Sequence, residues 1–200
     1  STTLSTISTG VPAEFQIPRF DSALAEQHKS LLSNNAQIAY WNALRYRLDG
    51  NTTSANKVVT ILNAWSANST SMKWKDTDST KLYDTQLVAS TTVTGLVYAA
   101  ELIEGYSGWT ETYANNFKKW IQNVVLPCIN GARTRTNNWA SWACYASAVM
   151  NEYIGNDVGF DENTVYLRNH IDSQIDEQGR MPEELKRDVD ASGNSYNTTE

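Results

Sequence analysis

The feature that most restricts this chain is a three-and-four spacing of apolar residues that recurs from one end to the other. Trp139, Trp142, Ala146, Val149 and Tyr153 step in this way, the pattern of one buried stripe along an α-helix. Tyr113, Phe117, Trp120 and Val124 repeat it ahead of Pro127, which is expected to end that helix. Val58, Ile61 or Leu62, and Trp65 mark another, with Ser54 as its candidate cap. Residues 24–48 read as a long first helix stopped by Asp49-Gly50, and residues 87–103 as a further one closed by Gly105. Leu167, His170, Ile171 and Gln174 share one face of a last helix expected to end at Gly179. No stretch alternates as a strand would. The expectation is an all-α protein of six helices joined by short connectors into antiparallel hairpins. Periodicity does not choose between a bundle and a toroid.

The 200 residues suit one domain, read as an N-terminal arm over 1–20 and a helical domain over 21–200. No apolar run approaches the ~20 residues of a membrane span, so no membrane partner is expected. The formal charge of −6 argues against nucleic acid, because a phosphate binder carries a basic face. An acidic protein can still hold an acidic sugar polymer if its few arginines gather in one cleft. Seven Trp and ten Tyr are many for this length, and a sugar cleft uses aromatic faces as platforms.

Three N-glycosylation sequons begin at Asn51, Asn68 and Asn197 and point to a secreted, extracellular protein. Cys128 and Cys144 are the only cysteines, and an even pair suits one disulfide; two buried free thiols are the other reading. With no signal peptide in view, the chain reads as a mature one whose leader has been removed.

Several segments carry a resemblance. They are Val59-Thr60-Ile61-Leu62-Asn63-Ala64-Trp65, Gln86-Leu87-Val88-Ala89-Ser90 and Ala99-Ala100-Glu101-Leu102-Ile103. Asn137-Asn138-Trp139-Ala140-Ser141-Trp142 follows, and then Gln174 to Gly179 with Met181-Pro182-Glu183-Glu184 and Arg187. In this order, over roughly residues 20 to 196, they resemble the alginate-lyase superfamily of polysaccharide lyases. The resemblance implies an incomplete (α/α) toroid with a tunnel-like cleft. It also implies an acidic polysaccharide partner, a polyuronate of alginate or glucuronan type, cleaved by β-elimination. Because such proteins typically continue past the equivalent of Glu200, a second polypeptide completing the domain is among the expected partners.

That reaction removes the C5 proton beside a carboxylate and expels the C4 oxygen. Donors must stabilise the carboxylate as it gains enolate character, a base must reach C5, and an acid must meet the leaving oxygen. By resemblance, Asn138 is the carboxylate-binding residue, with Asn137 beside it; a helix cap is the other reading of either. Trp139 stands where family members often carry a catalytic His, and indole cannot shuttle a proton. His170, on the inward face of its helix, is the replacement candidate, against a hydrogen-bonded core histidine; His28 is left as surface. Arg187 matches the arginine that neutralises the carboxylate and lowers the pKa of a nearby Tyr, against an ordinary ion pair with Glu183 or Glu184. Tyr196 matches the catalytic Tyr. Trp142, Gln86 and Arg135 are substrate-binding candidates, Arg135 with Arg133 adding positive potential at the cleft mouth against a solvated-loop reading.

No His/Cys spacing suits zinc, and the elimination calls for no cofactor. Glu183 and Glu184, adjacent in sequence, do not face each other as a hydrolase pair would, so a helical-toroid glycoside hydrolase ranks last. A glycan-binding protein that has lost turnover at Trp139 is the alternative to the lyase.

Overall fold

A computed structural model of the chain describes residues 7–185. Arg187, Tyr196 and Asn197 lie outside the described residues. Helices dominate, as periodicity predicts. The order is β1 (Glu14–Gln16), α1 (Ser22–Asp49), α2 (Thr52–Asn68), β2 (Ser71–Lys73), α3 (Thr85–Leu102), α4 (Glu111–Trp120), α5 (Leu126–Asn130), α6 (Asn138–Ile154), α7 (Asp157–Gln174) and α8 (Pro182–Leu185).

Local chemistry explains most of the boundaries. Asp21 caps α1 by accepting from the Leu24 N–H at 3.0 Å, and Gly50 ends it at φ 69°, a conformation open to glycine. The cap of α2 is Asn51, not Ser54: the Asn51 amide oxygen accepts from the Ser54 N–H at 2.8 Å, so the helix starts three residues earlier than the apolar pattern shows. Pro127 does not end a helix. α4 widens into a π-helical turn over Ile121–Val125, in which the Leu126 N–H reaches back to the Ile121 carbonyl, and α5 continues with Pro127 in its first turn. The wider turn accommodates a ring that would clash with an ordinary helical carbonyl.

Two short strands correct the expectation of none. β1 and β2 pair in parallel, with Phe15 opposite Met72. Three residues each are too few to show alternation. Thr85 fastens them to the start of α3: its hydroxyl accepts from the Ile17 N–H at 2.9 Å and donates to the Lys73 carbonyl at 2.6 Å. Val11, Phe15 and Ile17, ahead of α1, are buried in the same core as the helices.

α3 is central, packing against α1 on one side and α6 on the other, while α2 packs on α1 and α4, and α7 on α6. Trp65, Phe117 and Trp120 lie in the core, with Phe15 edge-on to Trp65 at 5.7 Å. His28 belongs to that core and not to the surface. Its ring stacks on Phe15 at 5.6 Å, its Nδ1 accepts the Gln16 N–H at 3.1 Å, and burial lowers its pKa below the ordinary 6.5. α7 also departs from expectation. Its inward residues are the polar Asn163, His170 and Gln174, while Leu167 and Ile171 are exposed.

Candidate active site where two helix N-termini meet

The N-terminal ends of α3 and α6 lie side by side, tied through Gln86 in the first turn of α3. This side chain is 1 % exposed. Its Nε2 donates to the Cys128 carbonyl, at the C-terminal end of α5, at 3.0 Å, and its Oε1 accepts from Arg135 Nη2 at 3.4 Å. Gly131 makes room for it: a Cβ there would meet Gln86 Nε2 at 2.5 Å and the Trp74 ring at 3.1 Å. Gln86, expected to touch sugar, is instead buried behind Arg135, which it orients.

Arg135, in the loop before α6, lies over the Trp139 ring at 4.1 Å from its centre. Arg19 approaches the same ring at 5.8 Å. Asp84, the residue before α3, holds Arg19 at 2.6 Å. Trp139 itself is 3 % exposed and forms the floor beneath the two guanidinium groups. Nothing in the sequence singles out Arg19, because Asp84 lies 65 residues away. Arg133 is buried nearby, over the Tyr166 ring at 4.2 Å and 3.5 Å from Glu162, so its charge is partly answered.

Asn137 is the N-cap of α6, its side chain accepting from the Trp139 N–H at 3.1 Å. Asn138 is the first helical residue and is exposed. Two helix dipoles with their positive ends at one place, with Arg135 and the Asp84-paired Arg19 beside them, make this end of the molecule suited to an anion.

α7 runs antiparallel to α6 and brings its last turns to the same end. His170 is 4 % exposed, and its Nε2 lies 3.0 Å from Ser141 Oγ, one turn into α6 from Asn138. Ser141 Oγ also donates to Gln174 Oε1 at 3.4 Å. His170 therefore faces inward, and Ser141 stands between it and the partly open face of α6. Trp142, 42 % exposed, lies edge-on to Tyr145 on that face.

A groove of about 550 Å³ between α1 and α3, lined by Tyr40, Arg47, Tyr98, Glu101 and Glu104, lies toward the opposite end of α3. Burial, then the charges of Glu152 and Glu104, raise the pKa of Glu101. Mutually repelling carboxylates make it a poor place for a polyanion.

Cys128 and Cys144 are both free and buried, which corrects the expected disulfide. Cys128 is enclosed in the apolar core, where burial pushes its thiol up to about 12, whereas Cys144 lies on α6 beside α7, its carbonyl accepting from Asn163 Nδ2 at 2.7 Å. Of the sequon residues, Asn51 is engaged as the α2 cap, and Asn68 is exposed at the other end of that helix, donating to the Ala64 carbonyl at 2.9 Å.

The fold and this end of it describe an all-α protein whose candidate site gathers amide, guanidinium and imidazole groups around two helix N-termini. The alginate lyase family model matches residues 14–197, and the chain belongs to that family. No curated protein and no solved structure matches it.

Proposed function

We propose that this protein is an extracellular polysaccharide lyase that cleaves a polyuronate, of alginate or glucuronan type, by β-elimination. Besides family membership, one observation carries the reading: Arg19 and Arg135 share the Trp139 ring at the N-terminal end of α6, beside Asn138. A uronate carboxylate seated there meets amide and guanidinium donors. These donors oppose the second negative charge that develops when C5 loses its proton, and so act on the transition state more than on the bound sugar. Tyr196 is assigned as base and Arg187 as the charge that lowers its pKa, both by resemblance. The sequons at Asn51, Asn68 and Asn197 support secretion; the cysteines do not, being unbridged.

Incubation with polymannuronate, polyguluronate, glucuronan and pectate tests the reading through the ultraviolet absorbance of the unsaturated product. Absorbance growing with at least one polyuronate is expected, and Tyr196→Phe abolishes it while polymer binding persists. The second reading, a glycan binder without turnover, draws on Trp139, which is buried and has no basic atom to move a proton. Retardation in a polymer-containing gel with no absorbance from any substrate selects it.

A further inference from the structure

Ser141, one turn into α6, hydrogen-bonds on its inner side to His170 and Gln174. Asn138 and Ser141 are three residues apart, so they neighbour each other along the helix surface. Ser141 is partly exposed, with the buried His170 and Gln174 on its inner side. A hydroxyl has one proton and two lone pairs. If His170 Nε2 is unprotonated, it accepts the Ser141 proton at 3.0 Å. If Nε2 carries hydrogen, it donates to Oγ, and the Ser141 proton turns to Gln174 Oε1 at 3.4 Å. Exchanging the two ends of the Gln174 amide sends its N–H to Oγ, and the Ser141 proton then goes to His170 only if Nε2 is unprotonated. Except where Nε2 and an exchanged amide both donate to Oγ, the proton points inward, and with the amide as placed one lone pair of Oγ is left for a further donor.

We propose that Ser141 is a specificity residue that accepts a hydrogen bond from an unsubstituted hydroxyl of the bound acidic sugar, its own proton held inward by His170 and Gln174. This rests on the proposed seating of a uronate beside Asn138 and adds a discrimination to it. Arginines and helix N-termini recognise the carboxylate, and an outward acceptor recognises a hydroxyl. An O-acetylated sugar has no proton to give there and carries extra bulk. Gln174 Nε2 is buried without a partner among the described residues.

The chain has two histidines, His170 behind Ser141 and His28 in the core against Phe15, so its histidine ring signals in an NMR titration read the site with an internal control. Oligomannuronate added to the full chain is expected to shift the His170 ring signals and leave those of His28 in place. Ser141→Ala, confirmed folded at the assay temperature although the loss of its bonds to His170 and Gln174 lowers its melting, is expected to bind the free-hydroxyl oligomer about fivefold more weakly, the loss of one neutral hydrogen bond. Its affinity for the O-acetylated oligomer should equal that of the wild type, and Ser141→Thr should restore the preference. Equal affinity of wild type and Ser141→Ala for the free-hydroxyl oligomer, with His170 undisturbed, overturns the role of Ser141 and leaves the lyase reading standing. No binding by the wild type of either oligomer, nor of oligoguluronate or oligoglucuronate, overturns both.

Discussion

Replacing Gln86 with leucine removes hydrogen bonds from the candidate site with little change of volume. Two bonds disappear: Nε2 to the Cys128 carbonyl at 3.0 Å and Oε1 from Arg135 at 3.4 Å. The second is long and reaches an exposed arginine, so it contributes little to stability. The first matters more, because the carbonyl at the end of α5 loses a buried donor, and a buried polar group left unsatisfied costs about 1–3 kcal/mol. Taking about 2 kcal/mol for a domain of this size gives a melting temperature lowered by about 4–8 °C. Arg135 also loses one of the contacts that orient it, the other being the Trp139 ring. Retention of the variant in a gel containing polymannuronate should weaken, and the difference should shrink as salt screens the arginine. Thermal melting by circular dichroism and gel retardation at two salt concentrations check both parts. A Gln86→Leu protein that melts within about 1 °C of wild type and is retained equally at low salt would refute the positioning role given to Gln86.

Three further outcomes follow from neighbouring features. Gly131→Ala should displace the Gln86 amide, which stands 2.5 Å from the added carbon, and reproduce the weakened polymer retention without touching a charged residue; retention equal to wild type contradicts this. His28 has a lowered pKa, so the unfolded chain binds its proton first. Stability is complete above about pH 6.5, the unfolded value, and falls as pH drops below it, with a slope of up to about 1.4 kcal/mol per pH unit. Melting from pH 7.5 to 5.5 should decline more in wild type than in His28→Phe, and parallel curves would remove His28 as the cause. Cys128 and Cys144 should count as two free thiols by intact mass after alkylation in denaturant without reductant, and reductant should leave melting unchanged; a chain that takes up no alkyl group and weighs two hydrogens less than the reduced, unalkylated chain would restore the disulfide.

The helices were legible because their signals are local. Gly50 and Asn137 close and cap helices whose apolar stripes face α3 and the core. β1 and β2 escaped notice because three-residue strands from distant parts of the chain are defined by each other and by Thr85, not by their own composition. α7 misled because His170 and Gln174 turn inward toward Ser141, so a polar pair takes the buried stripe that Leu167 and Ile171 were expected to share. At the candidate site, Asn138 and Arg135 stood out by motif and charge. Arg19 and Ser141 did not: one meets Trp139 only through folding, and the other is a small residue between two tryptophans that reads as filler.

A crystal structure of the protein with a bound uronate oligomer bears most directly on the claim that an acidic sugar is held where α3 and α6 begin. A sugar carboxylate beside Asn138, within hydrogen-bond reach of Arg135 or Arg19, is the predicted result. An oligomer seated instead along Tyr40, Tyr98 and Glu101, with the α6 N-terminus untouched, would contradict it.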